Sequence, residues 1–249
     1  MSAPRDSLLD DLLRERPHFH RGETETTGAA AGRASTLDEA TLARLQARQP
    51  ACYGVDEPLA RWIHAATHPA HVTLEVGAGI STIAFALRAA RHVAVTPHQS
   101  EVDAIRGWAE GAELALDHVR FVVDDSTRYL PRCDDGPFDI VLIDGKHAFP
   151  WPIVDWFYAT ALLRSQGLVL IDDLPLRTPA LLDEFMAGDP AWTRVEQVGP
   201  RAVAYRKGDE AAYDVPWHMQ PFARGDGRRS APSRLGTWLQ RLGLHRGPR

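Results

Sequence analysis

Only two cysteines occur in the chain, Cys52 and Cys133, far apart and without the close spacing of metal ligands. That excludes a disulfide framework and a cysteine-built metal fold, and the pair reads as reduced thiols of a cytoplasmic protein. No apolar run is long enough to span a bilayer and no secretory leader pattern is present, so neither a membrane span nor export is expected. Positive charge is also short: 28 Lys and Arg face 33 Asp and Glu, a net of −5, which argues against nucleic acid as a partner. Much of the basic charge is local, with seven arginines between Arg224 and Arg249 against Asp226 alone.

What is present suffices for one full α/β core: 249 residues, 44% of them hydrophobic, with some to spare at each end. Residues 1–35 divide into a leucine-faced helical stretch, Ser7 to Leu13, and a connector from Arg21 to Ser35 that is poor in large apolar residues. The leucine face would dock on the main domain or on a second copy of the chain, so a homo-oligomer is one reading. The main domain spans 36–208. It opens with a capping box at Thr36 and Glu39, a helix through Leu37, Leu42 and Leu45, and a second helix from Glu57 to Thr67 with Leu59, Trp62 and Ile63 on one face. Tyr53 and Gly54, between them, read as packing residues or as site lining. Residues 209–249 form a Pro, Gly and Arg rich tail in which Leu235, Trp238, Leu239 and Leu242 share a helical face.

The domain is organised around residues 71–86. Val72 to Val76 is short, β-branched and apolar, the signature of a buried parallel strand. Gly77 and Gly79 then allow a sharp turn and close approach of a ligand, and Ser81 or Thr82 would cap a helix through Ile83, Phe85 and Leu87. The third glycine of a dinucleotide fingerprint is missing, since Thr82 stands in its place. Free backbone N–H groups suit an anion and Glu75 suits a cationic amine, so a ligand carrying both an amine and a carboxylate fits better than a pyrophosphate.

Strands and helices alternate beyond the turn. Strands are expected over His92 to Val95, Val119 to Val123, Phe138 to Ile143 and Leu168 to Ile171, with helices over Ser100 to Glu110, Pro152 to Leu163 and Pro179 to Met186. A closing hairpin follows over Arg194 to Val198 and Ala202 to Tyr205. The fold class is therefore α/β, a doubly wound, mostly parallel seven-stranded sheet with helices on both faces.

Ligands of such sheets sit beyond the carboxyl ends of the strands. The polar residues there are Glu75, Thr96, Asp124, Asp125, Asp144, Asp172 and Asp173. Adjacent strands lie about 4.8 Å apart, so Asp144 after one strand and Asp172 with Asp173 after the next can converge. Three carboxylates would repel one another unless a cation sat among them, and oxygen ligands favour Mg²⁺; the alternative is that they cap turns and satisfy loop N–H groups. His147 overlooks the same mouth and is suited to take a proton from a metal-acidified hydroxyl, with Lys146 in reserve. Trp151, Trp156, Phe157 and Tyr158 crowd the following helix, either as core or stacked on a ring-bearing acceptor.

With Glu75-Val76-Gly77-Ala78-Gly79, Ile143-Asp144-Gly145-Lys146-His147 and Gly167 through Asp173, the chain resembles the class I S-adenosylmethionine-dependent methyltransferases, and is similar to their metal-dependent O-methyltransferases of catechol and sugar type. The resemblance implies S-adenosylmethionine as cofactor, bound by Glu75, Gly77, Gly79, Ser81, Thr96, Asp125 and Ser126. It further implies Mg²⁺ on Asp144, Asp172 and Asp173, with His147 as general base and a small hydroxylated molecule as acceptor. One position departs from the pattern: Val95-Thr96-Pro97-His98 stands where the family carries an acid for the ribose hydroxyls, with Glu101 a turn later. A non-catalytic cofactor-binding or scaffold protein of the same fold, and a nicotinamide-dependent oxidoreductase, are the alternative functions.

Overall fold

Strand β1 (Val72–Val76) lies inside a seven-stranded sheet of order 3-2-1-4-5-7-6, in the computed structural model, which describes residues 5–19, 54–209 and 215–225. On one side of it stand β2 (Arg91–Thr96) and β3 (Val119–Val123). On the other stand β4 (Phe138–Ile143), β5 (Leu163–Ile171), β7 (Ala202–Lys207) and β6 (Trp192–Val198). The first five strands pair in parallel, and β7 alone runs antiparallel to its neighbours. The expected doubly wound sheet is thus observed.

Period-two alternation divides the apolar residues between two layers. Leu74, Val76, Val141, Ile143, Val169 and Ile171 face one way, against Trp156 and Ala159 of α6 (Trp151–Ala161) and Leu182 and Met186 of α7 (Arg177–Gly188). Ala94, Ile140, Leu142 and Leu170 face the other way. Packed there are Leu59 and Ile63 of α2 (Glu57–Ala66), Ile83 and Phe85 of α3 (Ile80–Ala86), and Ile105 of α4 (Gln99–Gly111). Helix α2 begins on Asp56, whose Oδ1 accepts from the Leu59 N–H at 3.0 Å. Helix α1 (Arg5–Glu15) docks on this same domain: Leu8, Leu9, Leu12 and Leu13 are buried, Arg61 donates to Asp10 at 2.9 Å, and Trp108 donates to Glu15 at 2.8 Å.

Most elements run a residue or two beyond the expected ends, and the largest difference is at β5. Strand β5 begins at Leu163 rather than Leu168, because Leu163 pairs with Phe138 and the exposed Arg164, Ser165 and Gln166 bulge out before Leu168 meets Ile140. Helix α6 accordingly stops at Ala161. The connector over 21–35, the helix opened at Thr36, Tyr53 and the apolar patch around Trp238 lie outside the described residues. Among the described residues no helix is long and apolar enough to cross a membrane.

Candidate active site

Strand order reverses between β1 and β4, and the crevice at their carboxyl ends is where open α/β sheets bind ligands. Gly77 leaves β1 with φ +101°, and a Cβ there would lie 2.4 Å from the Asp144 carbonyl oxygen. Only glycine lets these two turns touch. The turns are also tied by the Asp144 N–H to the Val76 carbonyl at 3.0 Å and by the Gly77 N–H to the Val95 carbonyl at 2.9 Å.

Neither Ser81 nor Thr82 is the N-cap of α3, which is Gly79. Thr82 bonds back instead, its Oγ1 accepting from the Gly79 N–H at 2.9 Å and donating to Glu75 Oε1. Ser81 is buried in the first helical turn. Glu75 points inward rather than out of the turn: it is fully buried, lies 3.1 Å from His92 Nε2, and keeps Oε2 without a hydrogen-bond partner. His92 Nδ1 is in turn 2.8 Å from Thr73 Oγ1. The carboxylate expected to meet an amine directly is instead the centre of a buried network beneath the glycine turn, because a Cβ on β1 at this position faces α3 and not the crevice.

At the tip of β2, Thr96 is 1% exposed and donates to Glu101 Oε2 at 2.5 Å. An acid therefore does stand at this tip, delivered from the first turn of α4. After β3, Asp125 caps the single turn α5 (Ser126–Tyr129), its Oδ1 accepting from the Thr127 N–H at 2.8 Å. Ser126 donates to Asp155 Oδ1 at 2.6 Å. Asp155, on α6, is completely buried, with its second oxygen unpartnered near Gly145. Burial raises its pKa to about 6 against the opposing bond from Ser126.

The acidic residues after β4 and β5 do converge. His147 Nε2 lies 3.0 Å from Asp173 Oδ2 and 3.9 Å from Asp144 Oδ1, and one ligand atom from each of these three residues falls within 4.8 Å of the others. Asp172 lies outside that trio; it is 1% exposed, with neither carboxylate oxygen hydrogen-bonded. Loss of hydration, then the neighbouring Asp172 and Asp173, pushes Asp144 well above the ordinary carboxylate range. Burial raises Asp172 to about 6 although Arg201 opposes it. Burial would raise Asp173 too, but His147 and Arg201 outweigh it and hold its pKa low.

Arg201 is the residue that sequence reasoning missed here. It sits in the β6–β7 turn, pairs with Asp173 Oδ1, and places Nη2 3.6 Å from Asp172 Oδ2. A single arginine in a hairpin turn carries no sequence signal, whereas Asp155 did leave one, a lone acid on the apolar face of α6. Of the aromatic residues, Trp156 is core, packed on Phe185 and Trp192. Lys146 is exposed, with its ammonium 4.4 Å from the centre of the Trp151 ring.

Residues 74–174, from β1 to just past β5, match a family model described as a methyltransferase domain. A comparison with curated proteins finds no match. Among solved structures, the chain is similar to the O-methyltransferase TomG of Streptomyces achromogenes, solved with S-adenosylmethionine, at 21% identity over 76% of this chain and 100% of that one, TM-score 0.53. It is also similar to an O-methyltransferase of Bacillus cereus in complex with S-adenosylhomocysteine, at 21% identity over 70% and 91%, TM-score 0.50. A third is a putative O-methyltransferase of Klebsiella pneumoniae, at 16% identity over 71% and 93%, TM-score 0.54. The resemblance read from the sequence therefore holds at the level of the fold: the chain has the fold of the class I S-adenosylmethionine-dependent methyltransferases, with its methyltransferase-domain match over residues 74–174.

Proposed function

We propose that the protein transfers the methyl group of S-adenosylmethionine to a hydroxyl of a small molecule, with His147 as general base and Mg²⁺ assisting. The observation that carries this reading is the meeting of the glycine turn with the acidic cluster: Gly77 touches the Asp144 backbone, and His147 hangs beside Asp144 and Asp173 over the same crevice. Solved O-methyltransferases of the same fold, holding S-adenosylmethionine or its demethylated product, support the cofactor.

On this reading Gly77 and Gly79, whose own N–H groups are bonded to the Val95 carbonyl and to Thr82 Oγ1, shape a turn whose backbone the cofactor's amino-acid end can approach closely. Glu75, buried below, holds the turn through Thr82. Glu101, reaching the tip of β2 beside Thr96, takes the ribose hydroxyls in place of the missing acid at position 96. Asp125 and Ser126 face the adenine, and Asp155 keeps Ser126 in position.

The residues fit a divalent cation. Ligand atoms of Asp144, His147 and Asp173 meet within 4.8 Å, and the buried oxygens of the adjoining Asp172 have no hydrogen bond to offset their desolvation. Asp144, Asp172 and Asp173 would hold it, supplying Lewis-acid activation of the acceptor hydroxyl. His147, its ring oriented by Asp173, would take the acceptor's hydroxyl proton, and S-adenosylmethionine would supply the methyl group, leaving as its thioether.

Calorimetric titration with S-adenosylmethionine in Mg²⁺ buffer tests the reading. Saturable binding at one site is expected. Absence of heat up to millimolar ligand, with the protein folded, would overturn it in favour of a protein that keeps the fold for another purpose. Asp144→Ala is expected to abolish methylation of a competent acceptor, and full turnover by that variant in chelator would remove the metal from the mechanism.

A further inference from the structure

Resting on the metal reading above, a second cation of the same cluster comes from the chain itself. The turn that carries Arg201 is firmly seated. Val198 pairs with Ala202 across it, and Gly199, at φ +58°, lies so close to Pro58 at the start of α2 that a Cβ would come within 2.8 Å of the proline ring. The Arg201 carbonyl accepts from the Leu174 N–H at 2.8 Å, which binds the turn to the loop after β5. These contacts fix the backbone from which the guanidinium reaches the acidic cluster.

The oxygens of Asp173 are divided. Oδ1 pairs with Arg201 and Oδ2 faces His147, while Asp172 Oδ2 has Arg201 Nη2 at 3.6 Å. Asp173 itself is held at φ +58°, an uncommon conformation for a residue with a side chain. One guanidinium cannot neutralise three carboxylates, but it lowers the negative potential that would draw in a divalent ion.

We propose that Arg201 is a resident counter-cation that competes with the divalent metal for Asp172 and Asp173, so that the acidic cluster keeps its shape without metal and takes metal weakly. Two like charges on adjacent carboxylates repel, and each metal-binding event works against the guanidinium already present. Removing the charge strengthens metal binding; it also leaves the metal-free protein with uncompensated carboxylates.

Mn²⁺ titrated by calorimetry into the wild-type chain, Arg201→Gln and Arg201→Lys separates the outcomes. Both substitutions keep the backbone bond to Leu174, and circular dichroism reports that the fold is retained. Arg201→Gln is expected to bind Mn²⁺ at least tenfold more tightly than wild type, with Arg201→Lys near wild type. Its melting temperature without metal should fall below wild type and recover with saturating Mn²⁺. Equal or weaker Mn²⁺ binding by Arg201→Gln overturns the competition alone. No Mn²⁺ binding by any of the three overturns the metal reading with it.

Discussion

Replacing Gly77 by alanine adds one methyl group at the point where the glycine turn touches the acidic loop. Two costs arise from the structure. At φ +101° an alanine is strained, by about 1–3 kcal/mol for a sparsely populated backbone region. The new Cβ would also stand 2.4 Å from the Asp144 carbonyl oxygen, about 1 Å inside ordinary contact, and such overpacking costs a further 1–3 kcal/mol or so. The preceding Ile143–Asp144 peptide is pinned, its N–H bonded to Val76 and its carbonyl to the Asp172 N–H, so relief is left to the Asp144–Gly145 peptide. A total of about 2–6 kcal/mol is a large part of the 5–15 kcal/mol or so that holds a domain folded, and lowers the melting temperature by on the order of 10 °C. Urea denaturation with the linear extrapolation measures it. Gly107→Ala in α4 is the control: nothing lies within 4 Å of its added Cβ, and the better helix former should leave stability unchanged or raise it by up to about 1 kcal/mol. If Gly77→Ala unfolds within about 0.5 kcal/mol of wild type, the range that unremarkable surface substitutions occupy, the close approach of the two turns is refuted.

His147→Ala should reduce methyl transfer about 10²–10⁴-fold, the usual worth of a general base, with S-adenosylmethionine affinity unchanged. Lost affinity would move His147 from the reaction to the cofactor. Asp155 has a folded pKa of about 6 against an ordinary 3.8, so its contribution to stability is greatest below pH 4 and is lost as pH rises through 6. The whole difference is worth about 3 kcal/mol, roughly 1–1.5 kcal/mol of it between pH 5 and pH 8. Asp155→Asn keeps an acceptor for Ser126 and should remove this slope; denaturation at both pH values that gave the same decline for variant and wild type would contradict the burial. Trp156→Ala should cost about 3–5 kcal/mol as a core truncation, and Phe157→Ala, 44% exposed, less than about 1 kcal/mol in the same denaturation experiment.

The sheet was legible because each strand carried its own signal. Strands β3 and β4 occur over the residues expected, Val119–Val123 and Phe138–Ile143, since both are short apolar runs closed by turns and aspartates. The start of β5 was hidden because Arg164, Ser165 and Gln166 form an exposed bulge held by backbone pairing, which leaves no apolar alternation to read. The site divides along similar lines. Asp144, His147 and Asp173 were readable because they follow strand ends directly, and parallel pairing then brings them together. Arg201 was not, since it arrives from a turn 28 residues beyond Asp173 and only the β5–β7 pairing sets it there. The orientation of Glu75 was hidden for a different reason. Its place at the end of β1 suggested the crevice, but alternation along the strand turns it to the α3 side with Thr73.

Two threonines share one physical role: Thr82, where a dinucleotide fingerprint has glycine, and Thr96, where the methyltransferase pattern has an acid. Each threonine hydroxyl donates to a buried carboxylate, Thr82 to Glu75 and Thr96 to Glu101. A buried carboxylate needs donors, since an unsatisfied one costs several kcal/mol or so. A threonine beside it supplies a donor without adding positive charge. At α3 the same hydroxyl accepts from the Gly79 N–H, so the turn that would face the cofactor and the acid beneath it are joined through one oxygen atom. At α4 the hydroxyl draws Glu101 back over the tip of β2 and also accepts from the His98 N–H at 3.2 Å. The negative charge that position 96 lacks is thereby restored within one side chain's reach. Glu75 thus braces the turn from beneath, while Glu101 brings a carboxylate to the tip of β2.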